Sequence, residues 1–366
     1  MKKSRRTSLS ALLVSIAALV TLAPSVAADP AADASDAAAA APRISPDGCT
    51  RIAASDALRC TAHSEAMDRD IPVLVRPSLT AGNREVATFL DGANNSGSNG
   101  WLSTIKVHRE LAADDATLVF PVMDPWTWTQ DFDDVDAVRY ETFVAEELPD
   151  YLEGTFGVPD GGRGSTGVAG LSSGAYGAMN LASKYPGQYN AVWAMSGLYD
   201  PGMPAQKAVV DISARGRSEH HAVPWASGDS VKDNNPTLRL ENLTMPVMVN
   251  AASGVPNLGN LGPDPLAVVF EGGPFEFGSM VFTRELELRT RLRGMDNVHY
   301  RYDLLGAHDW DTWIRAALDD DGARRFMDAV LGEDGSGSGA GDGSADGSAA
   351  GSAGGSSVSS GPGASS

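Results

Sequence analysis

The chain has 366 residues and a formal net charge of −19, from 28 basic and 47 acidic side chains. This acidity excludes nucleic acid as an expected partner, because the phosphate backbone would repel the protein. It also disfavours attraction to an anionic membrane, so contact with lipid is expected through an apolar cleft rather than a basic patch.

The first 28 residues have the pattern of a secretory signal peptide. A basic start, Lys2 to Arg6, precedes an apolar stretch over residues 9–23 and the small residues Ser25 to Ala28. The apolar stretch is shorter than the roughly 20 residues that span a bilayer, and no second hydrophobic span follows it. We therefore predict a secreted or cell-envelope protein with no transmembrane span after cleavage.

Two segments lack the apolar side chains that a packed core needs. Residues 29–43 are rich in alanine and aspartate, and residues 332–366 are almost wholly Gly, Ser, Ala and Asp. Both are predicted to be disordered, because burial cannot offset the entropy lost on ordering. The interval 44–331 is long enough for one large α/β domain, and no repeat or internal linker divides it.

The only two cysteines, Cys49 and Cys60, lie close together in the sequence. In an exported chain two such thiols favour a local disulfide, and no histidine cluster adjoins them to suggest a metal site. We predict that they form a disulfide that holds the N-terminal part of the domain, and we expect no metal.

The pentapeptide Gly170-Leu171-Ser172-Ser173-Gly174 is the strongest chemical signal in the chain. It lies between an apolar run at 166–169 and a helix-forming stretch at 175–184, and a second apolar run follows at 191–195. A serine on such a strand-to-helix turn is held on a tight backbone with its hydroxyl exposed. This order of elements predicts Ser172 as the nucleophile of an α/β-hydrolase fold.

A serine hydroxyl needs a histidine to accept its proton and a carboxylate to orient that histidine. In this fold the acid and the histidine follow the serine in the chain. The four histidines after Ser172 are His220, His221, His299 and His308. His308 is predicted as the base, because it follows the strand-like run 302–305 and a Gly-Ala turn, where catalytic groups lie in an open α/β sheet. His299 lies inside a strand pattern and is expected to be structural or solvated.

The acid is expected after the strand predicted at 245–250. Glu276 is preferred because it stands between two phenylalanines at the entrance to a charged helical stretch at 283–293, and apolar neighbours strengthen a carboxylate's hydrogen bond to imidazole. An exposed helix start would also tolerate an acid there. Glu271 and Asp264 stay as alternatives, whereas Glu285 and Glu287 are expected to form helix-surface ion pairs.

The chain resembles the antigen 85 and corynebacterial mycolyltransferase family of esterase D-like α/β-hydrolases. The resemblance covers roughly residues 70 to 318 in order and rests on several segments together. They are Phe89-Leu90-Asp91-Gly92 with Asn99-Gly100-Trp101; Tyr140-Glu141-Thr142-Phe143 with Glu147-Leu148-Pro149; Gly170-Leu171-Ser172 with Ala178-Met179 and Leu181-Ala182; and His308-Asp309-Trp310 with Trp313.

The resemblance implies Ser172 as nucleophile, Glu276 as acid and His308 as base. It also implies an oxyanion hole formed by the backbone amides of Ala93 and Ser173, which would stabilise charge that appears only in the transition state.

The resemblance further places a sugar-binding cleft beside these residues. Asp91 and Trp310 match positions that line the cleft, and we include Asn94 and Trp101 among the expected substrate contacts. For Asp91 a turn aspartate, and for Trp310 a packed helix residue, are the structural alternatives. The family's mycobacterial members carry leucine and a sugar-contacting arginine where Ala93 and Asn94 stand here. An asparagine amide lacks the charge and reach of a guanidinium, so acyl transfer is better supported than trehalose specificity.

The function implied is two-step acyl transfer without a cofactor. The donor would be trehalose monomycolate, and the acceptor a second such molecule, arabinogalactan or another envelope lipid, polysaccharide or protein hydroxyl. The alternatives are a secreted carboxylesterase with the same three side chains, which hydrolyses acyl esters, and a catalytically silent envelope-binding protein on a hydrolase scaffold.

Overall fold

A computed structural model describes residues 46–94, 97–217 and 224–332, without the side chains of 212–216. The signal peptide (1–28), the linker (29–43), His220, His221 and all of the 332–366 tail except Gly332 lie outside these residues, so the predictions made for them stay predictions. No helix in the described ranges is long and apolar enough to cross a membrane.

Within the described residues, nine strands form one sheet in the order β1-β2-β3-β5-β4-β6-β7-β8-β9. The first three strands and β5 pair antiparallel, whereas β5, β4 and β6 to β9 run parallel to one another. The strands are β1 Thr50–Arg51, β2 Leu58–Ser64, β3 Arg69–Arg76, β4 Val86–Leu90, β5 Thr117–Pro121, β6 Thr166–Leu171, β7 Tyr189–Met195, β8 Val247–Ala252 and β9 Val298–Asp303.

Helices connect the parallel strands, as a crossover between parallel neighbours requires. The α-helical segments are α1 Val107–Glu110, α2 Tyr140–Thr142, α3 Leu148–Phe156, α4 Ser173–Lys184, α5 Pro204–Arg217, α6 Gly228–Asp233, α7 Pro265–Ala267, α8 Gly273–Leu292, α9 Trp310–Ile314 and α10 Gly322–Leu331. Single turns of π-helix lie at Trp101–Ile105, Phe143–Glu147, Val268–Gly272 and Arg315–Asp319, and 3₁₀ turns at Pro159–Gly162, Pro236–Leu238 and Leu240–Asn242.

The central strands are covered on both faces. Every residue of β4, β5 and β6 is buried, and successive side chains of β7 alternate between two large apolar clusters, one on each side of the sheet. Burial on both faces explains why these strands read as short continuous apolar runs. The predicted α/β-hydrolase sheet with helices on both faces is confirmed.

Several polar residues lie directly after the carboxyl ends of the parallel strands. Asp91 follows β4 directly, Ser172 follows β6, and Ser196 follows β7. His308 lies on the loop after β9, as predicted. The predicted disulfide between Cys49 and Cys60 is present. It lies near the edge of the sheet formed by β1 and β2, whereas β9 forms the opposite edge.

The buried His108 on α1 gives a prediction for stability against pH. Burial, with smaller contributions from nearby arginines, lowers the pKa of His108 to about 4 from its usual 6.5. Its Nδ1 has no hydrogen-bond partner among the described residues. The folded state therefore binds a proton less readily than the unfolded state. As the pH falls from 6.5 towards 4, this residue alone should lower the free energy of unfolding by roughly 2 kcal/mol.

Urea unfolding at pH 7 and at pH 4.5 measures this effect. His108→Gln should lose part of the stability difference between the two pH values, whereas His299→Gln, at an exposed position on β9, should retain it. An unchanged difference in His108→Gln would contradict the prediction.

Candidate active site

Ser172 lies on a sharp turn between β6 and α4. Its backbone has φ 55° and ψ −118°, a conformation that non-glycine residues adopt at some energetic cost. The turn is held by a hydrogen bond from the Ser172 amide to the Met195 carbonyl oxygen at 2.8 Å. The serine is half-buried, whereas the residues of α4 from Ser173 to Ser183 are all buried.

Two glycines let the backbone close around this turn. A Cβ atom on Gly170 would overlap the Gly174 carbonyl group, and one on Gly174 would overlap the Leu90 carbonyl and lie 2.6 Å from the Asp91 carbonyl oxygen. These neighbours are backbone atoms and cannot rotate away. The missing side chains at Gly170 and Gly174 therefore allow the backbone segments to approach this closely.

Gly174→Ala should consequently lower the thermal midpoint by about 10 °C or more, because the added methyl group forces β4 and α4 apart. Gly228→Ala is the matched control, since a Cβ atom at Gly228 meets nothing within 4 Å. Differential scanning fluorimetry compares the two variants. Equal midpoints would show that the contact between α4 and β4 is not essential to the fold.

His308 joins the serine to a buried carboxylate. Its Nε2 lies 2.8 Å from Ser172 Oγ, and its Nδ1 lies 2.9 Å from Glu276 Oε2. The backbone amide of His308 donates to the Gly272 carbonyl oxygen at 2.9 Å, which fixes the loop against the start of α8. The side chain of His308 is 16% exposed and that of Glu276 is fully buried, so little water competes for this hydrogen bond.

Glu276 lies in the first turn of α8 rather than on the loop directly after β8. The helix begins ten residues before the predicted 283, at Gly273. The expected shielding by flanking phenylalanines is wrong for Phe277, which is 55% exposed. Burial arises because Glu276 faces the ends of β7 and β8, where Ser196 Oγ and the Ala252 amide donate to its Oε1.

The alternative residues occupy other environments. Asp264 caps α7 by accepting from the Ala267 amide, and Glu271 lies on the π-helical turn before α8. His299 is exposed on β9, in agreement with the structural or solvated role expected for it. Glu285 and Glu287 form ion pairs with arginines on their own helix, as predicted, although Glu287 is largely buried.

The two segments proposed for the oxyanion hole flank the serine. Ser173 is the first residue of α4, where backbone N–H groups lack a helical acceptor. On the other side, a Cβ atom on Gly92 would lie 3.6 Å from Ser172 Cβ, so the loop carrying Ala93 runs beside Ser172. Ala93 is held by its carbonyl oxygen, which accepts from the Trp126 amide at 2.8 Å. Both residues line a pocket of about 200 Å³ that is open to solvent.

Asp91 lines the same pocket and also holds its loop together. Oδ1 accepts from the Gly92 amide at 2.8 Å, and Oδ2 accepts from the Gly100 amide at 2.7 Å. Burial raises the pKa of Asp91 to about 6, although these two amides act in the opposite direction. The turn-aspartate alternative is therefore observed, and contact with substrate stays a prediction.

The remaining predicted substrate residues divide into two groups. The prediction that Trp101 contacts substrate is wrong. Its side chain is fully buried against Phe89 and Trp193, and its indole N–H donates to the Leu90 carbonyl oxygen. By contrast, Trp310 is 38% exposed and Asn94 is exposed. The six-membered ring of Trp310 covers Gly100, which places it next to the loop held by Asp91.

One residue that the sequence analysis missed contacts the predicted acid. Ser196 follows β7, has φ 56°, and donates from Oγ to Glu276 Oε1 at 2.8 Å. No motif marks it, but a serine directly after a predicted strand at the carboxyl edge of the sheet is a signal that could have been used. The arrangement of Ser172, His308 and Glu276 can carry out nucleophilic attack with proton transfer to imidazole.

Sequence comparisons match the chain to one family model and to curated relatives. A family model named Esterase matches residues 64–324. Curated relatives named MPT51/MPB51 antigen, from Mycobacterium bovis and Mycobacterium tuberculosis, are 26% identical over 268 residues, which cover 68% of this chain and 81% of the relative. These relatives support the resemblance to the antigen 85 family.

Solved structures show the same fold. MPT51 from Mycobacterium tuberculosis aligns with a TM-score of 0.60 and 22% identity over 73% of this chain and 97% of that chain. An S-formylglutathione hydrolase from Agrobacterium tumefaciens aligns with a TM-score of 0.52 and 14% identity over 74% and 95%. At these identities the likeness supports the α/β-hydrolase fold, whereas the reaction has to be argued from the site.

Proposed function

Since the chain belongs to the Esterase family, we propose that it is a serine acyltransferase that moves a long-chain acyl group from one sugar hydroxyl to another. The observation that carries the proposal is the continuous hydrogen-bonded series from Ser172 Oγ through both ring nitrogens of His308 to Glu276, with contacts of 2.8 and 2.9 Å. This series is the geometry that makes a serine hydroxyl nucleophilic at neutral pH.

In the first step Ser172 Oγ attacks the carbonyl carbon of the ester, and its proton moves to His308 Nε2. Glu276 accepts from His308 Nδ1 throughout and stabilises the imidazolium that forms. The amides of Ala93 and Ser173 donate to the negatively charged carbonyl oxygen. When the intermediate collapses, the bond to the sugar oxygen breaks, and that oxygen takes the proton from His308.

In the second step the acyl group leaves the enzyme. A hydroxyl of the acceptor gives its proton to His308 Nε2 and attacks the acyl carbonyl carbon. The bond to Ser172 Oγ breaks, and the proton returns from His308 to the serine. Water in place of the acceptor gives hydrolysis by the same steps, so the protein's preference depends on how well the site holds an alcohol.

For the substrate we propose trehalose monomycolate as donor, with another such molecule, arabinogalactan or another envelope hydroxyl as acceptor. The resemblance to the antigen 85 family and the half-exposed Trp310 beside the Asp91 loop support a sugar in this position. The signal-peptide pattern of residues 1–28 and the Cys49–Cys60 disulfide support a secreted or cell-envelope location.

A carboxylesterase is the second candidate, and Asn94 is the observation that favours it. This exposed amide stands where the family's mycobacterial members carry a sugar-contacting arginine. An amide holds a sugar less firmly than a guanidinium fork does. A weakly held acceptor would leave the acyl-enzyme to water.

Product analysis decides between the two candidates. Purified protein is incubated with a long-chain trehalose monoester, with and without added trehalose that carries an isotope label, and the products are separated by mass. Labelled ester that forms only with Ser172 intact supports transfer. Free acid alone at every acceptor concentration supports the esterase, and no turnover together with no labelling by a fluorophosphonate supports the catalytically silent alternative.

A further inference from the structure

Glu276 belongs to a closed ring of four side chains. Trp313 Nε1 lies 3.1 Å from Ser196 Oγ, and Ser196 Oγ lies 2.8 Å from Glu276 Oε1. Glu276 Oε2 lies 2.9 Å from His308 Nδ1, and the rings of His308 and Trp313 meet edge to face with centroids 5.0 Å apart. Each of the four side chains therefore contacts two others.

The direction of every hydrogen bond in this ring follows from the indole. Trp313 can only donate, so Ser196 Oγ must accept from it, and the serine's own proton is directed to Glu276. The Ala252 amide also donates to Oε1, at 2.7 Å. With Oε1 occupied by two donors, Oε2 is left to accept from His308 Nδ1.

This order determines which tautomer of His308 faces the serine. When Nδ1 carries the proton and donates to Glu276, Nε2 has a free lone pair that can accept from Ser172. Ser196 is itself held rigidly, because its backbone has φ 56° at the end of β7 and its carbonyl oxygen accepts from Ser279 Oγ at 3.1 Å. The ring is almost dry, since three of its members are at most 7% exposed.

We propose that Ser196 and Trp313 are positioning residues that orient Glu276 and, through it, fix the tautomer and tilt of His308. The proposal rests on the proposed function, because it assigns these residues to the same reaction. Neither residue lines the pocket beside Ser173. Their loss should reduce the rate of the chemical steps and leave substrate binding nearly unchanged.

Steady-state kinetics with a soluble 4-nitrophenyl ester tests the proposal on Ser196→Ala, Trp313→Phe and the double variant. Each single variant should lower kcat about tenfold, because a hydrogen bond in a series that ends on a charged group is lost, and should change KM less than about twofold. The double variant should lose little more than either single variant, because both break the same ring. Ser183→Ala is the control, because it also removes a buried hydroxyl but lies on α4, outside the ring; it should retain wild-type kcat.

A second measurement separates this proposal from the proposed function. The rate of labelling by a fluorophosphonate reports activation of Ser172 without turnover, and thermal midpoints show whether each variant is folded. Two results would overturn the positioning role of Ser196 and Trp313 and leave the proposed function intact. One is folded variants that are labelled at the wild-type rate, and the other is a double variant whose labelling is about 100-fold slower than that of the wild type. Absence of labelling in the wild type would overturn both.

Discussion

Ser172→Ala should lower kcat for ester turnover by roughly 10⁵- to 10⁶-fold, the largest effect expected from any single substitution in this chain. The variant lacks the atom that forms the acyl-enzyme, so the remaining activity comes from substrate binding and the oxyanion amides alone. Removing one half-buried hydroxyl should change stability little, because Ala keeps the Cβ atom and the hydrogen bond from the backbone amide of residue 172 to the Met195 carbonyl oxygen.

Intact-protein mass spectrometry after incubation with a fluorophosphonate provides the direct readout. The wild type should gain one phosphonyl group and Ser172→Ala none, while Ser183→Ala should be labelled like the wild type. Turnover that survives in Ser172→Ala at more than about 1% of the wild-type rate would show that another residue supplies the nucleophile.

Glu276→Gln should lower kcat by about 10⁴-fold although it preserves the size and shape of the side chain. The amide oxygen would keep the position of Oε1, where Ser196 and the Ala252 amide both donate. The amide nitrogen would then face His308 Nδ1 and donate to it. The imidazole proton would move to Nε2, which could no longer accept from Ser172.

Glu287→Gln is the matched control for this substitution, because Glu287 lies on the same helix, is largely buried and pairs with arginines. It should retain wild-type kcat with some loss of stability. The kcat of both variants is measured at pH 7 with the same soluble ester. Activity within tenfold of wild type in Glu276→Gln would remove Glu276 from its role as the acid.

The fold and the place of Ser172 on a strand-to-helix turn could be predicted because their signals are local. The apolar run before Gly170, the small residues around Ser172 and the helix-forming stretch after Gly174 each follow from the geometry of one turn. The position of His308 after β9 follows from two general features of the fold. The histidine comes after the serine in the chain, and functional groups lie on loops at the carboxyl ends of the parallel strands.

Predictions that depend on long-range packing were less successful. The start of α8 was placed ten residues too late, because Gly272, Gly273 and Pro274 resemble a break in the sequence but are tolerated in the first turn of a helix that follows a π-helical turn. The burial of Trp101 depends on partners from β4 and β7 that no local pattern identifies. Ser196 gains its contact with Glu276 only when β7 and α8 meet.

Asp91, Ser172 and His308 all lie at one rim of the sheet, and this has a practical consequence for handling the protein. The turns at the other rim, around Gly187 before β7 and Gly294 before β9, are exposed, and a Cβ atom on either glycine meets nothing within 4 Å. Surface turns of this kind tolerate insertions. A fluorophore or a solid support attached there would leave the pocket lined by Asp91, Ala93 and Ser173 open on the far side.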